Sequence, residues 1–287
     1  MNGISPSLHA SIAGVSIAFS SVEADIISWI RGFYREYLTG PVSCPDLRLV
    51  LSRSATLLGD EEDAEFYKGQ SGVARQRDFI SFPLPGQPLA FAAELSPETE
   101  DAVCNLLRWL LPPLLVRRGA LLLHSAAVVR DGWGYAFFGK SGAGKSTATE
   151  LIRRRDPAAL AVGDDAAIIA WEEGRPWLLS APLGCGYAHV PPPPRRVPLR
   201  GLFSLHQGQS HGLSRCPPSE GLMRLIANSM VADGSHDDGA LEAALRFVDA
   251  SPGVHALEFR KDGDFWDMIL REGERHGKEA KPTAEAL

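Results

Sequence analysis

Residues 135–147 read Tyr135-Ala136-Phe137-Phe138-Gly139-Lys140-Ser141-Gly142-Ala143-Gly144-Lys145-Ser146-Thr147, and this stretch decides the fold. Its apolar, aromatic beginning predicts a buried strand. The residues from Gly139 to Ser146 match the pattern GxxxxGK[ST] in full, and those that follow have helical spacing to about Arg155. A strand, a glycine-rich turn and a helix in this order form a loop whose backbone N–H groups wrap phosphate oxygens.

Each residue type in this loop has a physical role. The glycines let the backbone approach a phosphate, which a side chain would prevent. Lys145 is expected to hold the β- and γ-phosphates, and Ser146 to offer its hydroxyl to Mg²⁺. The sequence therefore predicts that the phosphates of a nucleotide bind at Gly139, Lys140, Ser141, Gly142, Ala143, Gly144, Lys145, Ser146 and Thr147. A glycine-rich turn that only caps the helix is the alternative.

Two adjacent carboxylates, Asp164 and Asp165, end the next predicted strand, Ala159–Asp164. In P-loop proteins a carboxylate at a strand end completes the metal site. A pair also lets one carboxylate bind Mg²⁺ while the other accepts a proton from an attacking hydroxyl. The pair therefore favours phosphoryl transfer over nucleotide binding alone, although a polar turn has the same composition.

Composition limits the classes of function. The chain has 287 residues, of which 45% are hydrophobic and 22% charged, as in an ordinary globular protein. Its net charge of −6 argues against nucleic acid or an anionic membrane as a partner. The four cysteines form no CxxC pair, so no zinc site or disulfide framework is indicated, and a cytoplasmic location is expected. Neither a membrane span nor a signal peptide is predicted.

The chain before the loop predicts a small α+β region with no catalytic pattern. A strand or a hairpin is expected at residues 8–20, with Ser21 as the cap of the following helix, and a further helix is expected to start at Ser96. We expect domains at residues 1–118, an accessory region, and 119–272, the nucleotide-binding region. Residues 273–287 form a polar tail that need not fold.

Further elements are predicted within the nucleotide-binding region. They are a single strand Leu121–Arg130, a hairpin at residues 166–180, a strand Leu199–Leu205, a helix capped by Ser219, a helix with Leu241, Leu245 and Val248 on its apolar face, a strand Val254–Phe259 and a helical turn Phe265–Leu270. The run Pro191–Pro194 predicts an extended connection. His124 interrupts the first of these strands, and a lone histidine there is usually structural.

The order Leu-Leu-His124-Ser, glycine-rich loop and Gly-Asp164-Asp165 resembles the HPr kinase/phosphorylase-like P-loop proteins over residues 119–171. The downstream half is similar to the HPr-kinase-related branch found in bacterial peptide-modification gene clusters. The segments that carry this second similarity are Pro198–Phe203, Arg224–Asn228, Leu257–Arg260 and Asp264–Trp266.

The resemblance implies an α/β fold (α+β overall): a P-loop-containing HPr kinase C-terminal-like domain with a mixed sheet, after a small α+β region. It implies a kinase that transfers the γ-phosphate of ATP, with Mg²⁺, to a serine hydroxyl of a peptide or small protein. In that family's pattern Lys145 contacts phosphates, Asp164 is the base, Ser146 and Asp165 are metal ligands, and His124 lies near the catalytic carboxylate.

The resemblance has limits. The family's downstream glycine-rich signature, tied to the reverse phosphorylase reaction, has no counterpart, and Pro182–Gly186 occupies its neighbourhood. HPr as substrate is therefore not implied. A nucleotide-sensing module without turnover and a simple ATPase stay open as alternatives, as does a homo-oligomer. Five residues are either phosphate or substrate contacts or ordinary surface or helix residues: Arg195, Arg196, Arg200, Arg224 and Asn228.

Overall fold

The computed structural model describes residues 7–56, 65–66, 72–97, 99–184, 196–230, 238–249 and 253–276. These residues divide into two compact units, the first up to Leu114 and the second from Leu115 onward. The sequence predicted the boundary at residue 118. Each unit contains a mixed β-sheet with helices, so the fold class is α/β, as the sequence predicted. The run Pro191–Pro194 lies outside the described residues.

The first unit is built on an eight-stranded sheet in the spatial order β3-β1-β2-β4-β8-β7-β6-β5. The strands are β1 (Ser7–Ile12), β2 (Val15–Ser20), β3 (Leu38–Thr39), β4 (Leu47–Arg53), β5 (Glu65–Phe66), β6 (Ala74–Arg75), β7 (Phe79–Pro83) and β8 (Ala90–Leu95). Within it β2, β4 and β8 run parallel. Along β4, Leu47, Leu49 and Leu51 are buried while Arg48 and Val50 are exposed, so one sheet face forms the core.

The helices of this part of the chain are α1 (Ala24–Phe33), α2 (Thr99–Leu110) and α3 (Pro112–Val116). The prediction that Ser21 caps α1 is wrong. Its hydroxyl accepts a hydrogen bond from Glu23 N at 3.0 Å, and Glu23, not Ser21, precedes the first turn of α1. The helix predicted from Ser96 begins at Thr99, and α3 starts at Pro112 because proline is tolerated in a first turn.

The described residues of the second unit form one sheet of nine strands. They are β9 (Ala120–Leu123), β10 (Ser125–Arg130), β11 (Trp133–Phe138), β12 (Leu160–Gly163), β13 (Ala167–Glu172), β14 (Arg175–Leu179), β15 (Arg196–Gln207), β16 (Gly212–Arg215) and β17 (Val254–Phe259). One branch of the sheet has the order β12-β10-β11-β15-β17-β16, and the other has the order β9-β13-β14-β15.

The fork lies along β15. Its first residues pair antiparallel with β14, and those from Leu199 pair parallel with β11. The prediction of one strand over Leu121–Arg130 is wrong, because this stretch forms two strands that belong to different branches of the sheet. Strand β9 pairs with β13 in one branch, and β10 pairs with β11 and β12 in the other. The chain therefore changes branch at His124.

Helices cover both faces of the sheet in this unit. They are α4 (Lys145–Arg155), α5 (Pro218–Ala227), α6 (Asp238–Asp249) and α7 (Phe265–His276). On one face Ile152 of α4 and Trp266 of α7 pack in a cluster with Phe137. On the other face Leu225 of α5 and Phe247 of α6 pack in a cluster with Phe138.

Three predictions for these helices are corrected. Ser219 lies inside α5, which starts at Pro218, so it is not the cap. In α6 the residues Leu241 and Leu245 are 43% and 39% exposed, whereas Val248 is buried as predicted. The rest of the buried face is formed by Phe247 and small alanines. The predicted turn at Phe265 is a helix that continues to His276. Near the end of this helix, Arg200 Nη2 donates to the Gly273 carbonyl at 2.5 Å. Residues 273–276 of the predicted tail are therefore helical, and residues 277–287 lie outside the described range.

None of the helices formed by the described residues has the length and apolar character needed to cross a bilayer. Among the cysteines, Cys44 is exposed, and Cys104 and Cys216 are buried. Cys185 lies outside the described residues.

Asp156, directly after α4, joins three elements of the second unit. Its carboxylate accepts hydrogen bonds from Arg130 Nε of β10 at 2.6 Å, from Trp266 Nε1 of α7 at 3.1 Å and from Ala158 N at 3.1 Å. Burial alone would raise the pKa of this carboxyl. The hydrogen bonds from Trp266, Arg130 and Ala158 outweigh burial and hold the pKa below its ordinary value.

Asp156→Asn is expected to lower the free energy of unfolding by about 1–3 kcal/mol at pH 7, because it removes charge-assisted hydrogen bonds. A carboxyl whose pKa is lower in the folded state stabilises the fold above its unfolded pKa, and this contribution is lost as pH falls through the folded value. Denaturant titrations from pH 7 downward should therefore show the two proteins converging below about pH 4. The exposed Asp249→Asn is the control, and an equal loss in both variants would contradict this role.

Candidate functional site

The glycine-rich loop joins the end of β11 to the start of α4. At Gly144 the backbone has φ of 99°, and an added Cβ would lie 2.9 Å from Phe259 Cζ, so only glycine fits there. Gly144 also has no side chain with which to cap α4. The first N–H groups of the helix therefore remain available to an anion at the loop.

Lys145 is buried at the start of α4, with 8% of its surface exposed. Its Nζ donates to the carbonyl of Gly139 at 3.0 Å, which places the ammonium against the loop backbone. Burial lowers the pKa of Lys145, and the carboxylates of Asp165 and Asp164 partly oppose that shift. Burial of a charged ammonium costs solvation free energy, and an anionic ligand in the loop would offset this cost.

Ser146 and Asp164 meet at the open side of the loop. Ser146 Oγ donates to Asp164 Oδ1 at 3.1 Å, and both residues are exposed. A hydroxyl oxygen beside a carboxylate oxygen is the kind of donor set that Mg²⁺ prefers. These donors fit a magnesium ion, but the carboxylate beside Ser146 belongs to Asp164, whereas the predicted metal ligands are Ser146 and Asp165.

His124 and Asp165 lie where the chain passes from one branch of the sheet to the other. His124 separates β9 from β10, and Asp165 lies between β12 and β13. His124 Nδ1 lies 3.2 Å from the Asp165 carbonyl oxygen, and because a carbonyl only accepts, Nδ1 carries the proton. Asp165 has φ of 66°, a left-handed conformation that is uncommon outside glycine. The imidazole thus contacts the backbone of a strained residue at the site.

The structure therefore gathers the predicted residues in two groups. Lys145, Ser146 and Asp164 surround the loop, while His124 and Asp165 are joined through a carbonyl. The remaining loop residues differ in exposure: Lys140, Ser141 and Gly142 are exposed, Gly144 and Thr147 are half-buried, and Gly139 and Ala143 are buried.

One residue of the site has no signal in the sequence. Gln207, the last residue of β15, donates from Nε2 to the Gly142 carbonyl at 2.8 Å and so anchors the middle of the loop at Gly142. It lies far from the loop in the chain, and only the parallel pairing of β11 with β15 brings the two together. Its role could be found only once the strand register was known.

A second grouping of histidine and carboxylates involves His211, Asp262 and Asp264. His211 Nε2 lies 2.7 Å from Asp262, which also pairs with Arg260, and Arg155 lies 3.3 Å from Asp264. Burial tends to raise the pKa of Asp262. Hydrogen bonds from the Asp264 amide, Arg260 and His211 outweigh burial and lower this pKa to about 2. These contacts describe an ion-pair network between α4 and the start of α7.

No family model matches the chain, and no curated protein sequence matches it. Among solved structures, the HPr(Ser) kinase/phosphatase from Coxiella burnetii is similar over 54% of this chain and 99% of its own, at 12% identity and a TM-score of 0.28. A likeness with so low a TM-score carries no argument about fold or activity.

Gly144→Ala is expected to weaken binding of Mg·ATP at least tenfold, because the methyl group would meet Phe259 and the loop would have to move. Gly174→Ala is the matched control, since Gly174 has φ of 78° and open space around an added Cβ. In both variants the free energy of unfolding should fall by about 1–2 kcal/mol, because alanine disfavours the left-handed backbone conformation. Nucleotide titrations and thermal melts separate the two effects, and equal affinities would contradict the requirement for glycine.

Proposed function

We propose that this chain is an ATP-dependent, Mg²⁺-requiring kinase that transfers the γ-phosphate to a serine hydroxyl of a peptide or small protein. The observation that carries the proposal is the buried ammonium of Lys145 inside a glycine loop, next to a serine hydroxyl that is bonded to a strand-end carboxylate. A turn that only caps a helix needs neither a buried cation nor a carboxylate at its mouth.

The loop fits a nucleoside triphosphate. Its backbone N–H groups and Lys145 would hold phosphate oxygens, and Ser146 with one carboxylate would hold Mg²⁺. When bound, the metal neutralises charge on the phosphate oxygens. The overall charge of −6 is compatible with this ligand, since the cations and N–H donors that bind it are local.

The two carboxylates divide the remaining work. The family resemblance assigns Asp164 as the base and Asp165 as the metal ligand. The hydrogen bond of Ser146 to Asp164 favours the opposite division, because two ligands of one ion lie side by side. In that division Asp165, whose carbonyl contacts His124, accepts the proton. We adopt this second assignment.

The chemical step is an in-line displacement. The serine oxygen forms a bond to the γ-phosphorus as the bond from that phosphorus to the β–γ bridging oxygen breaks, and the hydroxyl proton passes to the carboxylate base. Lys145 remains on the phosphate oxygens and offsets their negative charge. The products are a phosphoserine and ADP.

The experiment is transfer of label from γ-labelled ATP with Mg²⁺ to the peptides encoded beside the gene. We expect labelled phosphoserine to form with the wild type. The label should be absent with Lys145→Ala, and also when alanine replaces the acceptor serine of the peptide. Phosphate release without label would indicate an ATPase, and tight binding of ATP with neither product would indicate a nucleotide-sensing module. Either outcome would overturn the kinase proposal.

Asp165→Asn and Asp164→Asn are expected to differ. Loss of the base should lower the transfer rate by about a hundredfold or more with nucleotide affinity unchanged. Loss of the metal ligand should instead raise the Mg²⁺ concentration needed for half-maximal rate. We expect the first behaviour from Asp165→Asn and the second from Asp164→Asn, measured by Mg²⁺ titration of label transfer. The reverse pattern would restore the assignment that the family resemblance implies.

A further inference from the structure

Gln207, at the end of β15, holds one peptide group of the nucleotide loop from outside the loop. Its Nε2 donates to the Gly142 carbonyl at 2.8 Å. The N–H of the same peptide group, on Ala143, donates to the Lys140 carbonyl at 3.0 Å. This peptide group is therefore held at both of its polar ends, once by the loop itself and once by a side chain from another strand.

The loop alone does not fix the orientation of this peptide group. Gly142 has φ of 77°, and a Cβ added to it would meet no atom within 4 Å beyond its chain neighbours. A glycine in open space passes readily between left-handed and right-handed backbone conformations. The hydrogen bond from Gln207 therefore selects one orientation of the Gly142 carbonyl, the one directed at β15.

Backbone hydrogen bonds hold Gln207 itself in place. Gln207 is paired in register with Phe259 of the parallel strand β17, and the Gly208 amide donates to the Phe259 carbonyl at 3.0 Å. The connection that follows is held by Ser210, whose Oγ donates to Glu258 Oε1 at 3.1 Å. A side chain on a strand that is supported in this way positions its partner more precisely than one on a free loop.

Gln207 and Phe259 contact the loop at two different glycines. A Cβ added to Gly144 would lie 2.9 Å from Phe259 Cζ and 3.4 Å from Gln207 Nε2. Phe259 is buried, whereas Gln207 is exposed. Because an exposed side chain contributes little to the stability of a fold, the amide of Gln207 has its main effect on the loop that it contacts.

The orientation of this carbonyl matters because the proposed ligand of the loop is negatively charged. Phosphate oxygens would be bound by backbone N–H groups and by the ammonium of Lys145. A carbonyl oxygen carries partial negative charge, so a Gly142 carbonyl turned toward the phosphates would repel them. A loop whose carbonyl is already directed at Gln207 needs no such rearrangement when nucleotide binds, so less binding free energy is lost.

We propose that Gln207 is a positioning residue for the nucleotide phosphates: its amide keeps the Gly142 carbonyl directed at β15 and so prepares the loop before nucleotide binds. This inference rests on the nucleotide site of the proposed function. Gln207 acts through the backbone of the loop and does not itself bind phosphate.

The test measures the affinity of the full chain for Mg·ADP by calorimetry at pH 7.5. Gln207→Ala should weaken binding about fivefold to tenfold, because one hydrogen bond that orders the loop is lost. Gln207→Glu should weaken it further, because a carboxylate cannot donate and repels both the carbonyl and the phosphates. Gln209→Ala and Gln209→Glu are the matched controls, since Gln209 is exposed two residues further along the same connection. Both controls should stay within about twofold of the wild type.

A pH profile distinguishes a donated hydrogen bond from a general structural role. A protonated glutamic acid can donate to the Gly142 carbonyl. The affinity of Gln207→Glu, relative to the wild type at the same pH, should therefore recover about threefold or more between pH 7.5 and pH 5, while the ratio for Gln207→Ala stays constant. The titratable groups of the site and of the neighbouring strands are the same in every protein compared: Lys140, Lys145, Asp164, Asp165, His206 and Glu258.

The outcomes separate this inference from the kinase proposal. A wild type that binds no nucleotide would overturn both, and binding without label transfer would overturn the kinase proposal alone. Normal binding by the wild type with Gln207→Ala within about twofold of it would overturn the role of Gln207 alone. If the Gln207 variants melt well below the Gln209 variants, the pH profile decides: recovery of Gln207→Glu at pH 5 supports the role, and its absence contradicts it.

Discussion

The pairing of β15 with two different partners is the constraint on which the site depends. Its first residues join β14 and its later residues join β11, so the sheet has two branches. Chain segments that pass between the branches cannot continue a ladder at the crossing point. Those crossings are His124, between β9 and β10, and the Asp164–Asp165 pair, between β12 and β13. Polar side chains freed from strand pairing therefore collect beside the loop.

The same strand also brings side chains to the loop and to α5. The parallel register of β11 with β15 sets Ser204 beside Phe138, and the residues that follow on each strand then lie along the loop. Gln207 anchors the middle of the loop at Gly142, and Ser204 with His206 anchors Arg224. Ligands of α/β sheets bind beyond the carboxyl ends of parallel strands, and β11 and β15 provide such an edge.

The local parts of this arrangement are predictable from the sequence. The loop from Gly139 to Ser146 is recognised by the spacing of its glycines, Lys145 and Ser146, and the strand before it and the helix after it follow from short-range patterns. The division of the strand at His124 was not predictable, since it depends on distant partners. Leu241 and Leu245 were misassigned for a similar reason: alanines offer a closer approach to the sheet than leucines, and hydrophobicity alone does not distinguish them. The contacts of Gln207 and Arg224 required the register of β15.

The central claim is that the loop between β11 and α4, with the end of β15 beside it, is where a nucleoside triphosphate binds. Amide hydrogen exchange of the full chain, with and without Mg·ATP, tests it most directly. The account predicts that the nucleotide slows exchange at residues 139–147 and 204–207, with no comparable change in β1, β2 or β4. Protection confined to the first unit, or no protection of the loop at saturating nucleotide, would contradict it.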